Sequence, residues 1–491
     1  MINQMFNKPK FVGCLAPGKR LIFGFISLIS AILVILGGSL TGDPAASQTI
    51  NLVEQVRIKP STVVGKPGFF QVGQSMQDRW WFIDPEGKPF FYKGVTSVGS
   101  GRGVPPSGVY PGYSEVIMQK YGKDSTAFRE ATYERLRSWN FNALGAWTAL
   151  DLLDGDMPYT IMLDFAGVGP EIKSDGVRIP DVFAPEWLKA IDRQAQTFVA
   201  PRRNNRMLVG YFTDNELGWG EIDNPDQQGK LNSDLLLTNE LKPSLLQVCL
   251  SLDSHRPAYQ AAWDFVLSRH NGSLETLAQD WQVNIDTPEQ VRQWTNAKQA
   301  IVSKGYLADY RAFLAEFAQR YFEQSAAAIH RYDTNHLILG CRFGAPPSDA
   351  VFSAVKKPWV DVVSANNYRY QMYERMDIYY KATQLPILNG EFSWGHRVFS
   401  DRPLPNEPEA GLPATERMTR NGEQALTRAW THPGLVGYTW YRWVDQPTNK
   451  PPYVPPVSLG LVTIEDEPNR WHTDLLTKLN AQAEAIALGI N

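Results

Sequence analysis

Eight short apolar segments, most of them separated by helical patterns, constrain what this chain can fold into more than any other feature. They are KGVTSV (93–98), FNALGAW (141–147), YTIMLDF (159–165), LVGYFTDNE (208–216), HLILGCRF (336–343), VDVVSANNY (360–368), LPILNGEFSW (385–394) and LVGYTWYRW (435–443). Near-continuous runs of Val, Ile and Leu belong to strands buried on both faces, the condition of a parallel sheet covered by helices. Such strands alternating with helices predict an α/β fold, specifically a (β/α)8 TIM barrel, with a doubly wound open sheet as the competing architecture. Ahead of them, residues 68–95 read as an amino-terminal hairpin that reverses at DPEGKP, where proline and glycine suit a tight turn, and then feeds the first strand. The interval from residue 217 to residue 335 is far longer than one crossover helix needs. Its extra part, about 221–305, is expected as an insertion after strand four that walls the carboxyl face; a surface helical pair with no part in binding is the plainer alternative.

The amino terminus differs from everything after it. Lys8, Lys10, Lys19 and Arg20 precede the apolar run Leu21 to Leu40, and polar sequence follows from Thr41 to Gln48. About 20 apolar residues can span a bilayer as a helix, whereas signal-peptide cores have roughly 7–15. Residues 1–48 are therefore expected to be a signal or a membrane anchor, with residues 49–491 as the catalytic barrel. Either version exports the barrel, because the positive flank stays inside. Contact with a membrane is expected only through residues 21–40.

A formal charge of −3 argues against nucleic acid as partner, since that affinity comes from neutralising phosphates. Cys14, Cys249 and Cys341 have neither metal-ligand nor redox spacing, and the histidines are scattered. No metal or organic cofactor is called for. Aromatic residues make 12% of the chain. They stack on sugar rings but also fill cores, so their positions matter more than their number.

In a barrel the reacting groups come from the carboxyl ends of the strands. There the sequence places Trp147, then Asp214, Asn215 and Glu216, then Arg342, then Asn366, Asn367 and Tyr368, then Asn389, Glu391 and Trp394, and finally Trp440, Arg442 and Trp443. Glu216 and Glu391 stand on strands four and seven, across the mouth from each other. Glycoside hydrolysis needs two such carboxyl groups, one protonating the leaving oxygen and the other attacking or activating water. Each glutamate taken alone fits a salt bridge to a loop arginine; the pair at strand ends favours chemistry on a poly- or oligosaccharide.

Asn215-Glu216 ending strand four and Glu391 ending strand seven resemble the retaining glycoside hydrolases of clan A. DPEGKPFFYKGV (84–95), GYFTDNELGWG (210–220), HLILGCRF, DVVSANNY, PILNGEFSW and SLGLVTIEDEP (458–468) are similar to the β-agarase-like family within that clan, over roughly residues 68–470. The resemblance implies Glu216 as acid/base and Glu391 as nucleophile, Asn215 on the sugar 2-hydroxyl, Tyr368 orienting the nucleophile, and Trp440 as a platform under the reacting ring. It gives Arg342 and Asn366 supporting places, and leaves Trp147, Trp219 and Trp394 as subsites or packing. The expected activity is retaining hydrolysis of a β-linked, galactan- or agarose-like polysaccharide. A non-catalytic carbohydrate-binding barrel and an envelope transglycosylase using the same two glutamates are the alternatives.

Overall fold

The computed structural model describes residues 53–101, 111–222, 242–395, 397–403, 411–455 and 457–490. The expected signal or anchor, residues 1–48, lies outside them, as do residues 223–241 of the expected insertion. By contacts the chain divides into Met1–Asp43 and Pro44–Asn491, and every described residue belongs to the second unit.

Strands β1 (Gln71–Gln74), β2 (Trp80–Ile83) and β3 (Pro89–Phe90) form an antiparallel sheet. The Asp84 carboxylate accepts from the backbone N–H groups of Glu86 and Lys88 and so closes the turn into β3. Arg79 ties this sheet to the start of the chain's last apolar segment and the residues just before it, donating to the carbonyls of Trp430, His432 and Leu435.

The main sheet contains β4 (Tyr92–Val95), β5 (Ala143–Leu144) and β6 (Tyr159–Met162). After the separate strands β7 (Glu171–Ser174) and β8 (Val177–Pro180) it continues with β9 (Leu208–Phe212). Beyond β10 (Gly218–Trp219) come β11 (Leu337–Ile338), β12 (Arg342–Phe343), β13 (Val363–Asn366), β14 (Ile387–Phe392) and β15 (Leu435–Trp440). Its order is β11-β9-β6-β5-β4-β15-β14-β13-β12, and every pairing within it is parallel. The first and last members of that order are pieces of one passage of chain, interrupted only at residues 339–341. Within the interruption Leu339 N–H donates to Tyr211 O, and just after it Arg342 N–H donates to Asp214 O. On the other side Val362 N–H donates to Ile338 O. The sheet therefore curls until it meets itself along this passage, as an α/β barrel does.

At the starts of β11, β13, β14 and β15 the side chains follow the two-residue strand period, whereas β9 slips at an irregularity in its pairing with β6, so that Val209 and Phe212 share one face. Val209, Phe212, Leu337, Leu339, Val362, Leu388 and Val436 form an inner cluster with Phe70, Val72, Trp80 and Phe82 from the antiparallel sheet, which thereby plugs one end. Leu208, Tyr211, Ile338, Val363, Ile387 and Leu435 belong instead to the larger core shared with the helices. Gly210 lets two strands approach: a Cβ there would lie 2.4 Å from Leu337 O.

Residues 242–305 are largely helical: Leu245–Leu250, Pro257–Arg269 and Leu274–Trp281 pack on the long helix Lys304–His330, and Pro288–Asn296 packs on Leu245–Leu250. Ser273 and Ser303 cap two of these helices by accepting backbone N–H bonds. The Asp309 carboxylate, buried at their centre, accepts from Arg269, His270 and Trp281. Strands β7, β8 and β10 form a second antiparallel sheet beside the end of β9.

Candidate active site

Four consecutive members of the main sheet end in non-glycine residues with left-handed backbone. Ser97 after β4 has φ 56°, Trp147 after β5 has φ 59°, Asp164 after β6 has φ 50° and Glu216 after β9 has φ 51°. Such conformations are uncommon without glycine, least of all for a bulky side chain, and they gather where a site must hold groups in fixed directions.

At β9 this backbone changes the simple alternation. A regular strand would put Asp214 and Glu216 on one face. Instead Asp214 is buried, accepting from the Tyr321 hydroxyl at 2.6 Å and from Ala166 N–H at 2.8 Å. Burial raises its carboxyl to about 8. The Glu216 side chain is exposed, while its backbone N–H donates to Arg342 O. Asn366 Nδ2 donates to Glu216 Oε1 at 2.7 Å and to Asn215 Oδ1 at 3.0 Å.

Asn366 on β13 lies in register opposite Glu391 on β14, so a single amide side chain bridges from the strand beside one glutamate to the other glutamate. Glu391 is 6% exposed. The Tyr368 hydroxyl donates a short hydrogen bond to its Oε2, and Arg342 Nη2 lies 3.0 Å from its Oε1. Burial pushes the Glu391 carboxyl above its ordinary value; Arg342 and the Tyr368 bond pull it down, and the nearby Glu216 charge pushes it up.

Arg342 is buried completely, and its Nη2 also donates to Gly390 O. Its guanidinium carbon sits 4.5 Å from the Trp147 ring centroid and 5.3 Å from that of Phe212. Gly390 makes room for it: a Cβ there would stand 2.7 Å from Arg342 Nε and 2.9 Å from Ser364 Oγ. A sequence reading cannot see this clash, because it needs the positions of three strands.

The structure thus brings Asn215, Glu216, Arg342, Asn366, Tyr368 and Glu391 together, with Trp147 against Arg342. It does not bring Trp394 and Trp440 to an open surface. Both are fully buried; their rings are 4.6 Å apart, packed against Phe392 and His472, and the Trp440 indole N–H donates to Leu459 O. A platform under a sugar ring needs a free face, so the expected places of Trp440 and Trp394 in binding are corrected to packing. Trp219 packs likewise on Tyr321 and Phe322.

Two neighbours escaped the sequence reading. Tyr441, next to the misassigned Trp440, is half-buried with its ring 6.3 Å from that of Tyr368. Asp164 is the penultimate residue of the third apolar segment, and its place just past the strand was the available signal. It lines a cleft of about 360 Å³ together with Trp147, Asp214, Asn215 and Glu216. Residues 242–305 contribute no side chain to the lining of that cleft. Among the described residues no group of three or more His, Cys, Asp or Glu is placed to hold a metal ion.

No protein-family profile matches the chain. Two curated relatives are similar to it, both from Vibrio sp. (strain JT0107). β-Agarase B is 25% identical over 378 residues, which is 73% of this chain and 37% of that protein. β-Agarase A is 23% identical over 479 residues, 85% of this chain and 46% of that protein. The chain therefore spans less than half the length of either relative. Among solved structures, an exo-β-agarase superposes with a TM-score of 0.65 at 20% identity, over 91% of this chain and 70% of that one. Another agarase gives 0.62 at 20% identity, over 89% and 69%. The resemblance to β-agarase-like proteins read from the motifs is borne out by these relatives, and the structural likeness is one of fold.

Proposed function

We propose that the protein is an exported, retaining O-glycoside hydrolase of the β-agarase-like kind, built on a (β/α)8 barrel and acting on a β-linked galactan-like polysaccharide. The observation that carries this reading is the pair of glutamates near enough for the charge of one to act on the other but set in opposite surroundings, Glu216 exposed and Glu391 buried. Glu391, held by Arg342 and Tyr368, is the nucleophile: its carboxylate attacks the anomeric carbon while Glu216 gives its proton to the departing oxygen. Glu216 then takes a proton from water, which displaces Glu391 and releases the sugar with its configuration retained. The fixed donors to Glu391 stabilise its charged form when it leaves the intermediate. Asn215, which accepts from Asn366, bonds a hydroxyl of the ring beside Glu216 in this reading.

The two roles separate by mutation. Glu391→Ala is expected to abolish turnover of every glycoside, because no covalent intermediate forms. Glu216→Ala is expected to lose hydrolysis of agaro-oligosaccharides, yet still to release an activated phenol from an aryl β-galactoside. Azide, which needs no deprotonation, should restore turnover of the aryl substrate and yield the β-galactosyl azide. Equal loss on both substrates in folded Glu216→Ala, without azide rescue, would remove Glu216 from the acid/base role.

A further inference from the structure

We propose that Asp164 is a substrate-binding residue whose carboxylate accepts sugar hydroxyls and makes the adjoining subsite selective for an uncharged ring. This rests on the glycosidase reading above and adds to it a residue and a selectivity. Asp164 follows β6, half-buried, and lines the cleft that also exposes Glu216. Its carboxylate makes no hydrogen bond and no ion pair with a described residue, although it stands at the start of the short 3-10 turn Phe165–Val168, where a capping bond would be available. A partly desolvated carboxylate left without donors is costly unless a ligand supplies them.

Trp147, half-buried, lines the same cleft beside it. Sugar hydroxyls give protons to a carboxylate and so supply the donors that Asp164 lacks. Burial raises the Asp164 carboxyl above its ordinary value, and the charge of Arg342, which stacks against the Trp147 ring, opposes that rise only in part. A ring bearing sulfate or a carboxylate would meet Asp164 as a like charge in a half-desolvated cleft, and would be rejected.

The choice of variants follows from the backbone. At φ 50° glycine sits without strain and asparagine is tolerated, so both Asp164→Gly and Asp164→Asn keep the local fold. Each full-chain variant would be assayed on a neutral β-galactan oligosaccharide and on its sulfated counterpart. For Asp164→Gly, KM on the neutral substrate should rise roughly 10- to 100-fold with kcat little changed, the scale of lost hydrogen bonds to a charged group. Asp164→Asn should recover part of that loss, because its amide oxygen still accepts, and should narrow the preference for the neutral substrate by about tenfold. An active wild type whose KM and preference survive both substitutions overturns the proposal alone. A wild type inactive on both the neutral oligosaccharide and an aryl β-galactoside overturns the glycosidase reading, and this inference with it.

Discussion

Glu391 shows how a single buried acid can be kept usable. Burial disfavours its charge, and two donors, Arg342 and Tyr368, oppose that effect. Tyr368→Phe removes one donor without changing the shape of the pocket, so the carboxyl should move further up. If Glu391 must be ionised to attack, the acid limb of kcat/KM then shifts to higher pH, and kcat falls roughly 10- to 100-fold. A pH profile of the purified variant measures both, and an unmoved acid limb would separate Tyr368 from the nucleophile. At this scale the sequence was legible where chemistry fixes residue type: Asn215, Glu216, Tyr368 and Glu391 stand in one site. It was illegible where only direction matters. Trp394 and Trp440 are strand-end aromatics like Trp147, yet they turn inward onto His472, and nothing local distinguishes the two outcomes.

Elements of the main sheet were readable because burial on both faces leaves continuous apolar runs. The β7–β8 pair was not: Glu171–Ser174 and Val177–Pro180 are short, and their polar positions face outward. The break of one strand into β11 and β12 was hidden too, since Gly340 in left-handed backbone looks in sequence like any strand glycine. Asp214 joins three elements, linking the end of β9 to Tyr321 on helix Lys304–His330 and to the turn at Ala166. Its folded carboxyl, raised to about 8, lies above the ordinary 3.8. The stability it contributes is complete below pH 3.8 and is lost as pH rises through about 8. Asp214→Asn keeps an acceptor for Ala166 N–H and gains a donor for the Tyr321 oxygen. Thermal midpoints from pH 5 to pH 9 should therefore fall less steeply in the variant than in the wild type, by several degrees at the alkaline end. Parallel curves would show that Asp214 is already charged in the fold.

For the whole molecule, the curled sheet was foreseeable in outline and residues 68–95 were read only as a hairpin, not as the plug of one end, while the packing of residues 242–305 around Asp309 depends on contacts among helices that no periodicity specifies. Among the described residues no helix is long and apolar enough to cross a membrane. Residues 21–40 lie outside them, and the proposal that they anchor an exported domain has a direct check. Activity should sediment with membranes, resist a salt wash and come free in detergent. A soluble species beginning near Gln48 would mark the segment as a cleaved signal instead. The left-handed endings at Ser97, Trp147, Asp164 and Glu216 bear on how such a chain can change over generations. Each holds a conformation that glycine adopts freely and that costs other residues about 1–2 kcal/mol. Selection for heat resistance alone would drift toward glycine at these four positions, gaining firmness while erasing three side chains of the cleft, Trp147, Asp164 and Glu216. Where those side chains persist in a lineage, something other than folding has kept them.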